Sequence, residues 1–156
     1  MIFLKIEGID GNSEVEGYEK WIEVESFSWG CSNQSNVGHG AGASASTSQT
    51  QALNISLLGA KSSVNLIHFC TIGKHLPEVK LETTKATGDK EEKNVAIHLK
   101  TAYISSVSQS GSPGYVNDSV SIDFEEYVHE VFEQNDKGVL ASAGKHGFNQ
   151  KTRKYT

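Results

Sequence analysis

The sequence is poor in cysteine, has no excess of positive charge and lacks any long apolar run, and each shortage narrows what the chain can be. Its two cysteines, Cys31 and Cys70, stand far apart and form no CxxC pair. Neither a dithiol redox motif nor a cysteine-based zinc site is expected, and two isolated thiols read as small core hydrophobes in a reducing compartment. No stretch approaches the roughly 18 apolar residues of a membrane span. The opening MIFLKIEGID meets Lys5 and Glu7 before an apolar stretch of signal-peptide length can form. The expectation is a chain made in the cytoplasm, without membrane insertion, that leaves by a route other than a cleaved signal. The 14 lysines and arginines are outnumbered by 19 aspartates and glutamates, for a formal net charge of -5. Basic residues gather only at the end, where Lys151, Arg153 and Lys154 flank Tyr155 as a solvated terminus. No nucleic-acid partner is expected of such a charge balance.

Catalytic and cofactor signatures are also missing. Gly38-His39-Gly40-Ala41-Gly42-Ala43 matches a GxGxxA nucleotide fingerprint by letter, but Ser44 to Gln51 continue as small residues instead of opening a helix. Gly59-Ala60-Lys61-Ser62 lacks the glycine directly before lysine that a P-loop requires. The six histidines, His39, His68, His75, His98, His129 and His146, show no HxH or HxxxH spacing that would set two imidazoles on one face as metal ligands. There is no GxSxG elbow, and the adjacent pairs Glu91-Glu92 and Glu125-Glu126 diverge to opposite faces of a strand. No catalytic residue, metal or cofactor is expected.

What is present is alternation. A chain of 156 residues fits one domain over 1–156, which at that size buries roughly 70% of the surface its unfolded form exposes. Ile2, Leu4 and Ile6 share one face, as do Leu53, Ile55 and Leu57, and Val79 and Leu81 follow in a third strand. Val95, Ile97, Leu99, Thr101, Tyr103, Ser105 and Val107 read as one uninterrupted inward phase, with Ala96, His98, Lys100 and Ser106 pointing the other way. Two strands change phase. Ile22 and Val24 give way to Phe27 and Trp29, and Val120, Ile122 and Phe124 give way to Tyr127 and Val131. Each switch predicts a bulge or corner, near Glu25–Ser26 and near Phe124–Glu126. Ser62 or Ser63 is placed to cap a helix of about three turns in which Val64, Ile67 and Cys70 recur at helical spacing with Leu66 and Phe69 nearby, and Gly73 is its stop. Residues 33–51 are nearly devoid of large apolar side chains and read as a long loop, while SGSPG at 110–114 and QNDKG at 134–138 read as turns.

Several stretches, in order over about residues 1–150, resemble the haemolysin-coregulated protein family of type VI secretion. They are IFLKIEGIDGNS, then WIEVESFSWGCSNQSN with its Phe27-Ser28-Trp29-Gly30 element, the loop GHGAGASAS, SSVNLIHFCTIGKHLPEVKLETTKA and YISSVSQSGSPG. The loop dilutes the family's glycine run with Ser, Ala and His39, and Gly147-Phe148-Asn149 replaces a frequent tryptophan. The resemblance implies a mainly β chain, a β-barrel built from two antiparallel sheets with one short flanking helix at about Ser63–Ile72. It implies a homo-hexameric ring that stacks into a tube inside a contractile sheath, tipped by a spike protein. Small effector proteins ride in the lumen, and the subunit is itself expelled. Ser26 and Ser28, opposite Phe27 and Trp29, would then line the lumen. Gly38, His39, Gly40, Ala41, Gly42 and Ser44 would reach the neighbouring ring. From the residues alone two alternatives stay open, a monomeric β-sandwich binding sugar or peptide through its loops and a hydrolase with a site built from remote residues.

Overall fold

The structure, a computed structural model, describes residues 1–33 and 48–156. Its strands are β1 (Ile2–Ile6), β2 (Ile22–Glu23), β3 (Ser26–Ser28), β4 (Cys31–Asn33), β5 (Ser48–Thr50), β6 (Leu53–Leu58), β7 (Leu76–Thr87), β8 (Lys90–Ser112), β9 (Tyr115–Gln134) and β10 (Leu140–Asn149), with one helix, α1 (Lys61–Ile72). Eight strands form a single antiparallel sheet in the order β2-β1-β7-β8-β9-β6-β3, with β10 added along β9; β4 and β5 form a separate two-stranded sheet. The fold is thus mainly β, a curled antiparallel half-barrel with a small second sheet and a short helix.

The first predicted corner is where the curl closes. β2 and β3 are the two ends of the strand order, yet they are consecutive in the chain. Val24 donates its N–H to Ile2 O at 2.9 Å on one edge, and Glu25 donates to Ser56 O at 2.8 Å on the other. One step of backbone therefore links the two edges. Ile22 and Val24 are buried on one side of that step, and Phe27 and Trp29 pack against the same core from the other.

The second predicted corner belongs to a crease that crosses three strands. In register, Leu76, Ala102 and Phe124 form one buried row and Glu78, Lys100 and Glu126 the row beyond it. Burial resumes on the opposite phase at Val79, Leu99 and Tyr127. Thr101 lies on this line with φ of 53°, in the left-handed region that a β-branched residue rarely occupies. The expected single phase of β8 is therefore wrong. Ala102 and Ile104 are buried in place of Thr101 and Tyr103, and Tyr103 is 48% exposed. A register shift between Ile104 and Ser106 then returns Val107 to the core side. Threonine, tyrosine and serine suit either face, so alternation of letters could not reveal two slips that cancel.

The helix also departs from expectation. Ala60, not Ser62 or Ser63, is its N-cap, and the Ser63 hydroxyl accepts the Ala60 N–H at 3.0 Å while donating to the Asp118 carboxylate. Asp118, fully buried, also accepts from Gln109 Nε2 at 2.8 Å, so this carboxylate is fixed at the positive end of the helix. Leu66 and Phe69 face the core, whereas Val64 is 71% and Ile67 42% exposed. Helical spacing identifies the helix but selects the wrong face. Gly73 ends it as predicted, at φ 60°, with its N–H on Cys70 O and the Lys74 N–H on Phe69 O. The turns at 110–114 and 134–138 are present, with Gly114 and Gly138 at positive φ.

Candidate functional site

On the outer face of β3, β6, β9 and β8, small polar residues occupy successive rungs. Ser26 is paired with Ser56, Ser56 with Ser119 and Ser119 with Ser108; the next rung runs Ser28, Asn54, Ser121, Ser106. Because strand residues alternate, all eight side chains leave the same face, and Leu53, Ile55, Val120 and Ile122 between them enter the core. The centre of this wall is self-satisfied. Ser121 Oγ donates to Asn54 Oδ1 at 2.5 Å, Ser56 Oγ to Asn117 Oδ1 at 3.2 Å, and Asn117 Nδ2 to Glu25 Oε2 at 3.0 Å. The outer columns, Ser26 and Ser28 on β3 and Ser106 and Ser108 on β8, present exposed hydroxyls. Together these residues floor a shallow concavity of about 330 Å³. None of the eight is charged or titrates near neutrality, so the wall can donate and accept hydrogen bonds but supplies no acid, base or nucleophile-base pair.

Two strand edges flank the wall. Among the described residues β3 is hydrogen-bonded to β6 on one side only, and β8 has β7 beside it as far as the Leu76–Ala102 pair. Among the described residues, the backbone of Tyr103–Ser112 pairs with β9 alone.

The other half of the sheet is strapped and charged. Residues 9–21 cross its outer face, where Tyr18 stacks on the fully buried Phe3 at 4.3 Å and donates its hydroxyl to Glu82 Oε2 at 3.0 Å. Glu82, 5% exposed, also takes Lys93 Nζ at 3.0 Å and His98 Nε2 at 3.1 Å on its second oxygen. Burial alone would raise the Glu82 pKa, but the hydrogen bonds from His98 and Lys93, the Lys93 charge and the Tyr18 hydroxyl outweigh it and hold it at about 2. Burial, with the Glu82 charge next, pushes the Tyr18 phenol well above its ordinary range. The cluster is saturated by its own members and sits beneath a strap, which makes it a clamp.

Residues 3–130 match the family described as "Type VI secretion system effector, Hcp". The chain belongs to the Hcp family. Among curated Hcp relatives, the protein hcp1 of Pseudomonas aeruginosa is 33% identical over 125 residues, covering 79% of this chain and 77% of that one. The crystal structure of Hcp1 from Salmonella typhimurium superposes with a TM-score of 0.79 at 26% identity, covering 99% and 97% of the two chains. Another solved structure, of a type six secretion system protein, reaches a TM-score of 0.91 at 24% identity and 99% and 98% coverage, and supports the fold alone.

Ser26 and Ser28 are exposed on the face opposite Phe27 and Trp29, as alternation predicts. Gly38, His39, Gly40, Ala41, Gly42 and Ser44 lie outside the described residues. The loop expected over 33–51 is strand at both ends, since Cys31–Asn33 pairs with Ser48–Thr50. Cys31 is exposed and Cys70 half-buried, so the thiol at 31 is not the core hydrophobe expected. The rest of the serine wall escaped notice because its members come from four strands whose pairing only the fold sets. Its signal was nonetheless there, in Ser106, Ser108, Ser119 and Ser121 at spacing two. Among the described residues, no helix is long and apolar enough to cross a membrane.

Proposed function

We propose that this Hcp-family chain is the inner-tube subunit of a type VI secretion apparatus, and that it works by geometry rather than by chemistry. Six copies close into a ring through a heterologous contact, in which one surface meets a different surface of the next copy. The observation that carries this is the serine wall bounded by two open edges, β3 on one side and the second half of β8 on the other. Pairing β3 of one copy with β8 of the next would continue the wall without interruption around the ring. Six four-stranded walls at ~4.8 Å per strand give a cylinder about 37 Å across. Short side chains keep that bore open. A folded domain of about 100 residues has a radius of gyration of about 13 Å and so a diameter of about 34 Å, which sets the upper size of effector such a bore can carry.

In this function the wall's neutrality matters. Hydroxyls and amides contact cargo weakly and without charge selection, so no passenger is locked in place by ion pairs. Rings stack into a tube, with the segment containing Gly38, His39, Gly40, Ala41, Gly42 and Ser44 meeting the next ring. A contractile sheath surrounds the tube, a spike tips it, and the subunit passes from the cytoplasm to the outside with its cargo. Negative-stain images and native mass of the purified protein test the assembly. Six-fold rings are expected; a strict monomer at high concentration would overturn it and favour a solitary binding module.

A further inference from the structure

His129 of β9 and His146 of β10 stand directly opposite each other in the register of two antiparallel strands. Opposite residues share a face, with Cβ atoms about 5 Å apart. The pair sits in an aromatic nest. The His129 ring meets Trp29 edge-on at 5.6 Å, and the His146 ring meets Tyr127 at 5.7 Å and Tyr155 at 6.0 Å. His146 Nε2 lies 3.1 Å from the Tyr127 hydroxyl.

The groups facing the pair offer no counter-charge. Tyr127 lies on β9, Cys31 on β4 bears on the Tyr127 phenol, and β8 contributes apolar Ile97 opposite His129. In the C-terminal segment Tyr155 packs on His146, and the Arg153 guanidinium lies over Phe148. Glu130 and Lys145 oppose each other one position along, which turns them to the other side of the sheet. Among the described residues no carboxylate forms an ion pair with either imidazole.

Neutral imidazoles can pack here, but two imidazolium ions would repel each other across the strand pair, one of them half-buried. β10 is anchored at its end, where Phe148 is buried in the core, while residues 141–146 are exposed. Among the described residues β10 pairs with β9 on one edge and with the tail on the other, through Gly147–Thr156 and Asn149–Lys154. We propose that the His129–His146 pair is a pH-sensitive latch, which holds β10 and the C-terminal tail against β9 while His129 is neutral and loosens them when His129 takes up a proton opposite His146. Trp29 would be released with them. It leads into the base of the β4–β5 ribbon, where Gln51 N–H bonds to Gly30 O at 2.7 Å.

The direction of the effect follows from linkage. Burial first, and then the charge of His146, lower the His129 pKa from its ordinary 6.5. The open state therefore binds protons more readily, so the latch is fully closed above pH 6.5 and is lost as pH falls through the lower value.

Hydrogen exchange of the whole chain at pH 7.5 and 5.0, corrected for the intrinsic pH dependence of exchange, tests the latch. The β10 amides are expected to exchange about tenfold faster at pH 5.0 relative to those of β7. His129→Gln should remove that difference, and His146→Gln should diminish it, since the second charge is lost while His129 stays half-buried. Equal β10 protection at the two pH values in the unmodified chain overturns the proposal. So does an undiminished acid response in either glutamine variant that circular dichroism shows to be folded at pH 7.5.

Discussion

The two halves of the curled sheet use their outer faces in opposite ways. Around β3, β6 and β9 the outer face is an array of serine and asparagine with Glu25 and Asp123 at its margins, and among the described residues the edges that flank it are unpaired. Around β1, β7 and the first half of β8 it is covered by residues 9–21 and held by the Tyr18–Glu82 clamp. Both halves share one apolar core, so the difference is not needed for folding the inside. It teaches that the fold invests its outward interactions on the strapped side and leaves the serine side free of large groups, as a surface for other molecules requires.

That contrast predicts a gradient of mutational effects. The largest belongs to the strap. A Cβ on Gly11 would overlap the Trp21 carbonyl and the Ile22 Cα, and because both are backbone neither can swing aside. Gly11→Ala is expected to lower stability by about 3 kcal/mol or more in urea unfolding. A change under about 1 kcal/mol would show the strap to be loose and erase the distinction between halves.

Next comes the clamp. Glu82→Gln removes the charge that holds Lys93 and His98 and should cost about 2 kcal/mol at pH 7. The Glu82 pKa is depressed, so its contribution is present above pH 4.5 and is lost as pH falls through about 2. Unfolding midpoints of the two proteins should therefore converge near pH 2, and parallel curves would show that the carboxylate acts only by packing.

The crease between the halves should respond with the opposite sign. Thr101→Gly relieves a left-handed backbone at φ 53° and should stabilise by up to about 1 kcal/mol, visible as a raised urea midpoint. The smallest effect is expected on the wall itself. Ser26→Ala and Ser28→Ala should shift stability by less than about 0.5 kcal/mol. Ser28→Arg should also fold normally, yet crowd the lumen and reduce effector co-purification. A stability loss at Ser28 comparable with that at Glu82 would assign the wall a structural role.

Period-2 alternation made the strands around Leu4, Ile55 and Val79 legible, because apolar residues recur at every second position along one face of each. The corner between Val24 and Phe27 was legible for the same reason, since two apolar phases meet there without an intervening turn. The helix was legible through its glycine stop but not through its face. Val64 and Ile67 are as apolar as Leu66 and Phe69, and hydropathy alone cannot say which pair meets the sheet. Phe3 was missed as a second buried face of β1, because its cover, Tyr18, arrives from a segment with no periodicity. Ser26 and Ser28 were found through their aromatic neighbours, whereas their partners on β6, β8 and β9 depended on register.

The sequence by itself determined a β-rich chain with one short helix, two phase corners, and membership of the Hcp family through ordered local motifs. These are properties of neighbouring residues, and chain-local sterics and hydropathy suffice to set them. The tertiary structure alone decided the crease through Thr101, the outer clamp on Glu82, the eight-residue polar wall and the opposition of His129 to His146. Each joins residues far apart in the chain, and strand register, fixed by burial of the whole core at once, is what brings them together.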